Sequence, residues 1–215
     1  MTQVASFPFL RKPLLSRTTS PVLLGAAIFV TSACSLSGPP PAEYVIGAMP
    51  AATTTTVSQE GWPIVEVKRV QLPDYLDTTN IVERRGNQLV PSSTGRWSER
   101  LSVGMTRALS ASLAARLPKM LVTATTPVER PARLLVVDVT AFEWREDSQV
   151  VLVARSTIVN GTNRQILRTQ QVSLVEETDG GSDSAIVAAM ARAIDDLADQ
   201  LAAGIARDCQ ACRSR

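Results

Sequence analysis

The chain has 215 residues, of which 45% are hydrophobic and 20% charged. This composition is typical of a folded chain and excludes wholesale disorder. Its 22 basic and 20 acidic residues give a net charge of +2. Whether this excess indicates an anionic partner depends on where the basic residues lie along the chain. The sequence contains no histidine. Ser-His-Asp and Cys-His catalysis are therefore excluded, and we expect no metal and no cofactor.

Residues 1–33 have the features of a secretory signal. Three basic residues, Arg11, Lys12 and Arg17, and no acidic residue accompany an apolar run over 21–30. This run is too short to cross a bilayer as a helix, which takes about 20 apolar residues. The rest of the chain then holds 19 basic and 20 acidic residues, a net charge of −1. The basicity belongs to the export signal, so we expect no nucleic-acid partner.

The apolar run is followed by Thr-Ser-Ala-Cys at residues 31–34, which resembles a bacterial lipobox. In such signals the thiol of the cysteine, here Cys34, receives the diacylglycerol. Thr31 departs from the usual Leu. By the same resemblance, Ser35 in place of Asp favours the outer membrane over the inner membrane. The alternative is an ordinary secretory signal cut after Ser-x-Ala, with Cys34 incidental.

The predicted mature chain has a tether, one domain and a tail. Residues 34–60 contain a proline-rich tether, a short strand at 44–46 and a threonine-rich loop. We expect a single domain over 61–207 and a tail over 208–215. Cys209 and Cys212 form a CxxC motif in this tail. The motif follows the last predicted helix, whereas a thioredoxin-like redox motif lies at the start of a helix. A local disulfide is expected in an oxidising compartment, and two inert thiols are the alternative.

The first half of the domain alternates between strand and helix patterns. Residues 64–70 are β-branched and largely alternating, which predicts a strand. Residues 81–85 and 88–90 flank Gly-Asn, which predicts a hairpin. The apolar spacing becomes helical from Trp97 to Leu117. A short strand is then predicted at 120–122.

The second half predicts three long strands and a helix. The strands lie within 134–144, 149–160 and 164–176, and Asn160-Gly161 predicts the second hairpin. A final helix begins at Ser182 or Asp183 and runs to about residue 207. The predicted fold is α/β (α+β), a single domain with a mostly antiparallel sheet and two helices packed on one face.

Three segments resemble the PqiC-like family, the auxiliary lipoproteins of ABC-type, MCE-associated transport systems. They are the LPxYLD sequence with IVxR and the asparagine that follow it, the RWxExL sequence, and Tyr44 soon after the cysteine. Thr78 and Arg100 depart from the usual Arg and Pro. The residues that carry the resemblance are Leu72, Pro73, Tyr75, Leu76, Asp77, Arg84, Asn87, Arg96, Trp97 and Glu99.

The resemblance implies a lipoprotein of the outer membrane that faces the periplasm and has no reaction of its own. Its expected partners are an MCE-domain protein and inner-membrane transport components, which move lipids between membranes and maintain envelope integrity. Self-association into a homo-oligomer is open. The alternative function is a carrier of lipid or another hydrophobic ligand, which would need an apolar cavity of several hundred Å³.

Several of these residues have both a structural and a functional interpretation. Trp97 is expected in the core, whereas Tyr75 suits a core position and a partner surface equally well. Trp144 has the same two interpretations. Asp74 and Asp77, like other turn aspartates, are expected to cap or to be solvated instead of catalysing a reaction. Arg96 and Glu99 are hypothesised to pair at i, i+3 on the first helical turn.

Overall fold

The computed structural model describes residues 39–47 and 61–213, with side chains as far as Arg207. The predictions for the export signal, for Cys34 and for the loop 48–60 lie outside these residues. The strands and helices are β1 (Ala42–Tyr44), β2 (Ile64–Val67), β3 (Asn80–Arg85), β4 (Gln88–Trp97), α1 (Leu101–Arg116), β5 (Leu121–Thr123), β6 (Arg133–Arg145), β7 (Gln149–Asn160), β8 (Ile166–Glu177) and α2 (Asp183–Arg213). Neither helix in the described ranges is long and apolar enough to cross a bilayer.

Three pairs of strands that are joined by short loops pair antiparallel. These pairs are β3 with β4, β6 with β7, and β7 with β8. The first pair confirms the hairpin at Gly86-Asn87, where Gly86 has a φ of +56° that suits a residue without Cβ. The other two confirm the meander of three long strands.

Strands that are distant in sequence pair parallel. These pairs are β1 with β4, β2 with β5, β2 with β6, and β3 with β6. Parallel pairings therefore outnumber antiparallel ones, four to three, among the described strands, and the prediction of a mostly antiparallel sheet is wrong. Turn residues report only the pairing of strands joined by a short loop, so the sequence carried no signal for the distant pairs.

Strands β2 and β3 lie one after the other along the same edge of β6. Val65 is opposite Arg133 near the start of β6, and Glu83 is opposite Trp144 near its end. Between them, the amide of Lys68 donates to the carbonyl of Leu135 at 2.8 Å. Parallel neighbours usually need a crossover helix. Here β2 and β3 run in the same direction along one edge of β6, so a short loop over residues 72–79 is enough to join them. We call this loop the excursion.

A bulge in β6 reverses which side chains face the helices. The register with β7 shifts between Val139 and Ala141, which leaves Thr140 as the extra residue. Val139 lies in the core before the bulge and Phe142 lies in the core after it. Because side chains alternate along a strand, Glu143 is turned to the opposite face. The alternation of side chains between the two faces of β6 therefore breaks at Thr140.

The two helices cover the core with the predicted apolar stripes. Trp97 ends β4 opposite Tyr44, so α1 begins four residues later than the predicted helix. Ser182 caps α2, since its Oγ accepts the amide of Ala185 at 3.3 Å. The helix runs to Arg213, beyond the predicted end, so the backbone of residues 209–212 is helical. The buried residues of the stripes are Leu101, Met105, Ala108, Leu109, Leu113 and Leu117 in or next to α1, and Ile186, Met190, Ala193, Ile194, Leu197, Leu201 and Ile205 in α2.

The predicted hairpin between β7 and β8 forms, but its loop is two residues longer than the predicted strand bounds left. The loop spans residues 161–165, and the side chain of Asn160 accepts the amide of Thr162 at 2.8 Å. Gly161 does not have a positive φ. Instead, its amide donates to Ala132 at 3.1 Å, and a Cβ on Gly161 would overlap the carbonyl oxygen of Pro131. Glycine is needed here for close approach of two backbones.

We expect Gly161→Ala to lower the free energy of unfolding by about 1–3 kcal/mol, because the neighbouring backbone must move. Gly181→Ala is the matched control, since its Cβ would meet only Trp144 at ordinary contact distance, 3.4 Å. Urea unfolding followed by circular dichroism measures both. Equal stability of the two variants would contradict the close approach.

Candidate functional site

The excursion between β2 and β3 is folded into a turn that is fixed to the core. The carbonyl of Pro73 accepts the amides of Leu76 and Asp77 at 2.9 and 3.1 Å. Leu76 is fully buried, and Leu72 packs against the core from a partly buried position. Most of the LPxYLD sequence therefore holds this segment in place.

Asp77 caps α1 from a distance in sequence. The residue at the helix start, Arg100, makes no side-chain cap. Instead, Asp77 Oδ1 accepts the amide of Ser102 at 3.0 Å, and Oδ2 accepts Arg100 Nε at 3.2 Å. Burial favours the neutral carboxyl and so raises the pKa of Asp77, but the hydrogen bonds from Ser102 and Arg100 outweigh burial and leave that pKa below its usual value.

Two hydroxyl groups of α1 complete the attachment of the segment before the excursion. Ser102 Oγ accepts Arg69 Nη2 at 2.8 Å, and Thr106 Oγ1 accepts the amide of Val70 at 2.9 Å. Both residues are buried. The sequence analysis did not identify Ser102 and Thr106 as functional. Two polar residues at i, i+4 beside an apolar stripe do indicate that this helix face contacts polar groups, because buried hydroxyls need hydrogen-bond partners.

Four residues form a charged and aromatic group on the sheet, which we call the Tyr75 cluster: Tyr75, Arg84, Glu143 and Arg145. The Arg84 guanidinium lies 5.5 Å from the centre of the Tyr75 ring and forms an ion pair with Glu143. Tyr75 is 38% exposed, whereas Glu143 is 1% exposed. The hydrogen bond with Glu143 raises the pKa of Arg84, which favours its charged form.

The second cation of the cluster is also held by the buried carboxylate. Arg145 Nη2 lies 3.8 Å from Glu143 Oε1. Among the described residues, Glu143 Oε2 and Arg145 Nε have no hydrogen-bond partner. The cluster borders a depression of about 430 Å³ that is lined by Arg84, Gly86, Arg145, Glu146 and Asp147. The bulge at Thr140 brings these groups together, because it turns Glu143 toward Arg84.

The remaining residues of the resemblance lie apart from the cluster. Arg96 pairs with Glu43 at 2.6 Å, and Glu99 pairs with Arg107 at 2.8 Å, so the hypothesised pair between Arg96 and Glu99 does not form. Both residues precede α1 and are not on its first turn. Trp97 is buried in the core.

Three further residues named in the sequence analysis lie in turns or against the core. Asn87 is exposed in the turn between β3 and β4. Trp144 is partly buried and packs against the core. Asp74 is exposed in the turn before Tyr75. None of the three joins the Tyr75 cluster.

Two other depressions lie on the described surface. One of about 300 Å³ lies between the β3–β4 hairpin and the start of α2, and its lining includes Arg85, Ser93, Thr94 and Asp183. One of about 170 Å³ lies beside the bulge in β6. Within residues 39–47 and 61–207, no three Cys, Asp or Glu side chains are grouped as metal ligands.

Comparison with known proteins identifies a family by sequence and a shared fold by structure. The sequence profile of the ABC-type transport auxiliary lipoprotein component family matches residues 44–202. A crystal structure of a protein described as uncharacterized is 20% identical, with a TM-score of 0.66 over 77% of this chain and 98% of that one. A DUF330 protein from Xanthomonas campestris is 15% identical, with a TM-score of 0.58 over 79% and 97%. No curated protein matches the chain.

The profile covers most of the chain, so the protein belongs to the ABC-type transport auxiliary lipoprotein component family. This membership confirms the resemblance seen in the sequence. The two solved structures, at 20% and 15% identity, establish the shared fold. The protein is thus a transport-auxiliary lipoprotein, a class attached to a membrane of the cell envelope.

We expect Asp77→Ala to lower the free energy of unfolding by about 1–2 kcal/mol at pH 7, because α1 loses its cap. The folded-state pKa of Asp77 is lowered, so its contribution is present at neutral pH and is lost as the pH falls below about 3.9. The difference between wild type and variant should therefore shrink in acid. Asp74→Ala, in the same turn, should leave stability unchanged, and a similar loss there would contradict the assignment. Urea unfolding between pH 3 and 7 measures all three proteins.

Arg84→Ala should destabilise the protein by about 2–3 kcal/mol, because it leaves the buried Glu143 with only a distant cation. The estimate is below the cost of a fully buried pair because 27% of the Arg84 side chain reaches solvent. Arg85→Ala is the neighbouring control, because 52% of the Arg85 side chain reaches solvent, which weakens its pair with Glu83. Thermal unfolding compares the two, and equal losses would refute the special role of Arg84.

Proposed function

We propose that the protein is a non-enzymatic auxiliary component of an MCE/ABC-type system that transports lipids between the two membranes and maintains envelope integrity. It is anchored in the outer membrane through acyl chains on Cys34 and faces the periplasm. Its partners are an MCE-domain protein and inner-membrane components of the transporter. The family match supports the transport-auxiliary part of this proposal, and the residues around Cys34 support the anchor.

The Tyr75 cluster is the observation that carries the docking role. Tyr75 stays 38% exposed although the residues on both sides of it are fixed, Leu76 in the core and Pro73 in the turn. Aromatic and arginine side chains that are held rigidly at a surface are frequent anchors of protein interfaces. A rigid anchor loses little side-chain entropy on binding, which favours a docking role for this surface.

The carrier alternative has less support from the same structure. A carrier of hydrophobic ligand needs an enclosed apolar space. The depressions of about 300 and 430 Å³ are open to the surface; charged residues line the larger one, and polar and apolar residues line the other in about equal number. Apolar side chains of the sheet and both helices fill the space between them, as one continuous core.

Crosslinking in intact envelopes followed by capture of this protein tests the proposal. Wild type should capture an MCE-domain protein, Tyr75→Ala should capture several-fold less, and Cys34→Ala should lose membrane attachment and capture together. Species that contain only this chain would indicate self-association.

Ile166→Ala is the control for the surface variant, because Ile166 is 63% exposed at the opposite end of the sheet. It should capture as much partner as wild type. Failure of the correctly localised wild type to capture any MCE-domain protein would refute the proposal. Equal capture by Tyr75→Ala would refute the docking role of the cluster.

A further inference from the structure

Three connections lie together at one end of the sheet, which we call the entry end. They are the β3–β4 turn, the β6–β7 turn at 146–148 and the β8–α2 loop at 178–182. Arg84 is opposite Arg145, which places the first two turns side by side. The amide of Thr178 donates to the carbonyl of Ser148 at 2.9 Å, which attaches the β8–α2 loop to the β6–β7 turn.

The chain enters the domain in the direction of this end. Ala42 is opposite Gly95, and β1 runs parallel to β4, so residues before Ala42 leave toward Gln88 and the β3–β4 turn. The seven residues from Gly95 back to Gln88 span about 23 Å. The eight residues from Ala42 back to Cys34 span at most about 29 Å. The tether can thus exceed this span by about 6 Å, so a nearly extended tether lets the entry end touch the bilayer while Cys34 is anchored in it.

The depression beside the Tyr75 cluster opens at the entry end and carries both signs of charge. Arg84 and Arg145 supply two guanidinium groups, and Glu146 and Asp147 supply two exposed carboxylates. The buried Glu143 holds both guanidinium groups in place. A zwitterionic phospholipid headgroup carries a phosphate and an ammonium group a few bonds apart. Guanidinium groups suit the phosphate, and carboxylates suit the ammonium.

We propose that the entry end rests on the bilayer and that its depression, lined by Arg84, Arg145, Glu146 and Asp147, binds a zwitterionic phospholipid headgroup. This inference rests on the proposed lipid anchor at Cys34. The anchor supplies the affinity for the membrane, and the depression fixes the orientation of the domain on it. The opposite end, with the β7–β8 loop, then points away from the membrane.

Quenching in vesicles tests the orientation. Lipidated protein, with Cys209→Ser and Cys212→Ser, carries a fluorophore at Asn87→Cys or at Thr162→Cys and is placed in phosphatidylethanolamine/phosphatidylcholine vesicles with a headgroup quencher. The label at 87 should be quenched and the label at 162 should not. Protein that does not float with the vesicles overturns the anchor and this inference together. Protein that floats with the label at 87 unquenched overturns the inference alone.

Charge substitutions test the headgroup assignment. Wild type labelled at 87 should be quenched about five-fold more strongly in phosphatidylethanolamine/phosphatidylcholine than in phosphatidylglycerol vesicles, whose charge repels the carboxylates. Glu146→Gln with Asp147→Asn should lose this preference. Asp179→Asn, at the same end but outside the depression, should keep it. Retention of the preference by the double variant would overturn the assignment.

Discussion

One edge of β6 has to serve two strands, and the rest of the fold follows from this constraint. Strand β2 pairs with the start of that edge and β3 with its end. The chain must leave the edge between them and return to it. The excursion over 72–79 therefore needs attachments of its own, because it lies outside the ladder. Two residues attach the excursion: Asp77 accepts a hydrogen bond from the first turn of α1, and Leu76 is buried in the core.

The same edge explains why the bulge matters. Without the extra residue at Thr140, side-chain alternation would direct position 143 toward the helices. With it, the carboxylate of Glu143 meets Arg84 from β3, and Arg84 in turn meets the ring of Tyr75 from the excursion. A local irregularity in one strand thus joins three segments that are distant in sequence. Within this cluster Glu143 is buried, whereas Tyr75 keeps 38% of its surface exposed.

Sequence patterns predicted the local features of this protein and failed on the distant ones. Apolar spacing predicted both helices, and Gly86-Asn87 predicted a hairpin, because these signals act over a few residues. The parallel pairings depend on which strands meet after collapse, and no turn residue encodes that. Gly161 shows the same limit, since the turn chemistry was visible but the approach of Pro131 was not. The pairing of Arg84 with Glu143 needed the bulge, which a single sequence does not reveal.

The parallel pairing of β1 with β4 also has a kinetic consequence. Ala42 and Gly95 meet only after the intervening chain has been brought together, whereas β6, β7 and β8 can pair through short loops. Contacts of high sequence separation form slowly because loop closure costs entropy before any contact forms. The meander is therefore expected to assemble early and the N-terminal strand to dock last. With the anchor proposed at Cys34, the segment before β1 would stay accessible to the export and lipid-attachment machinery until the domain is otherwise complete.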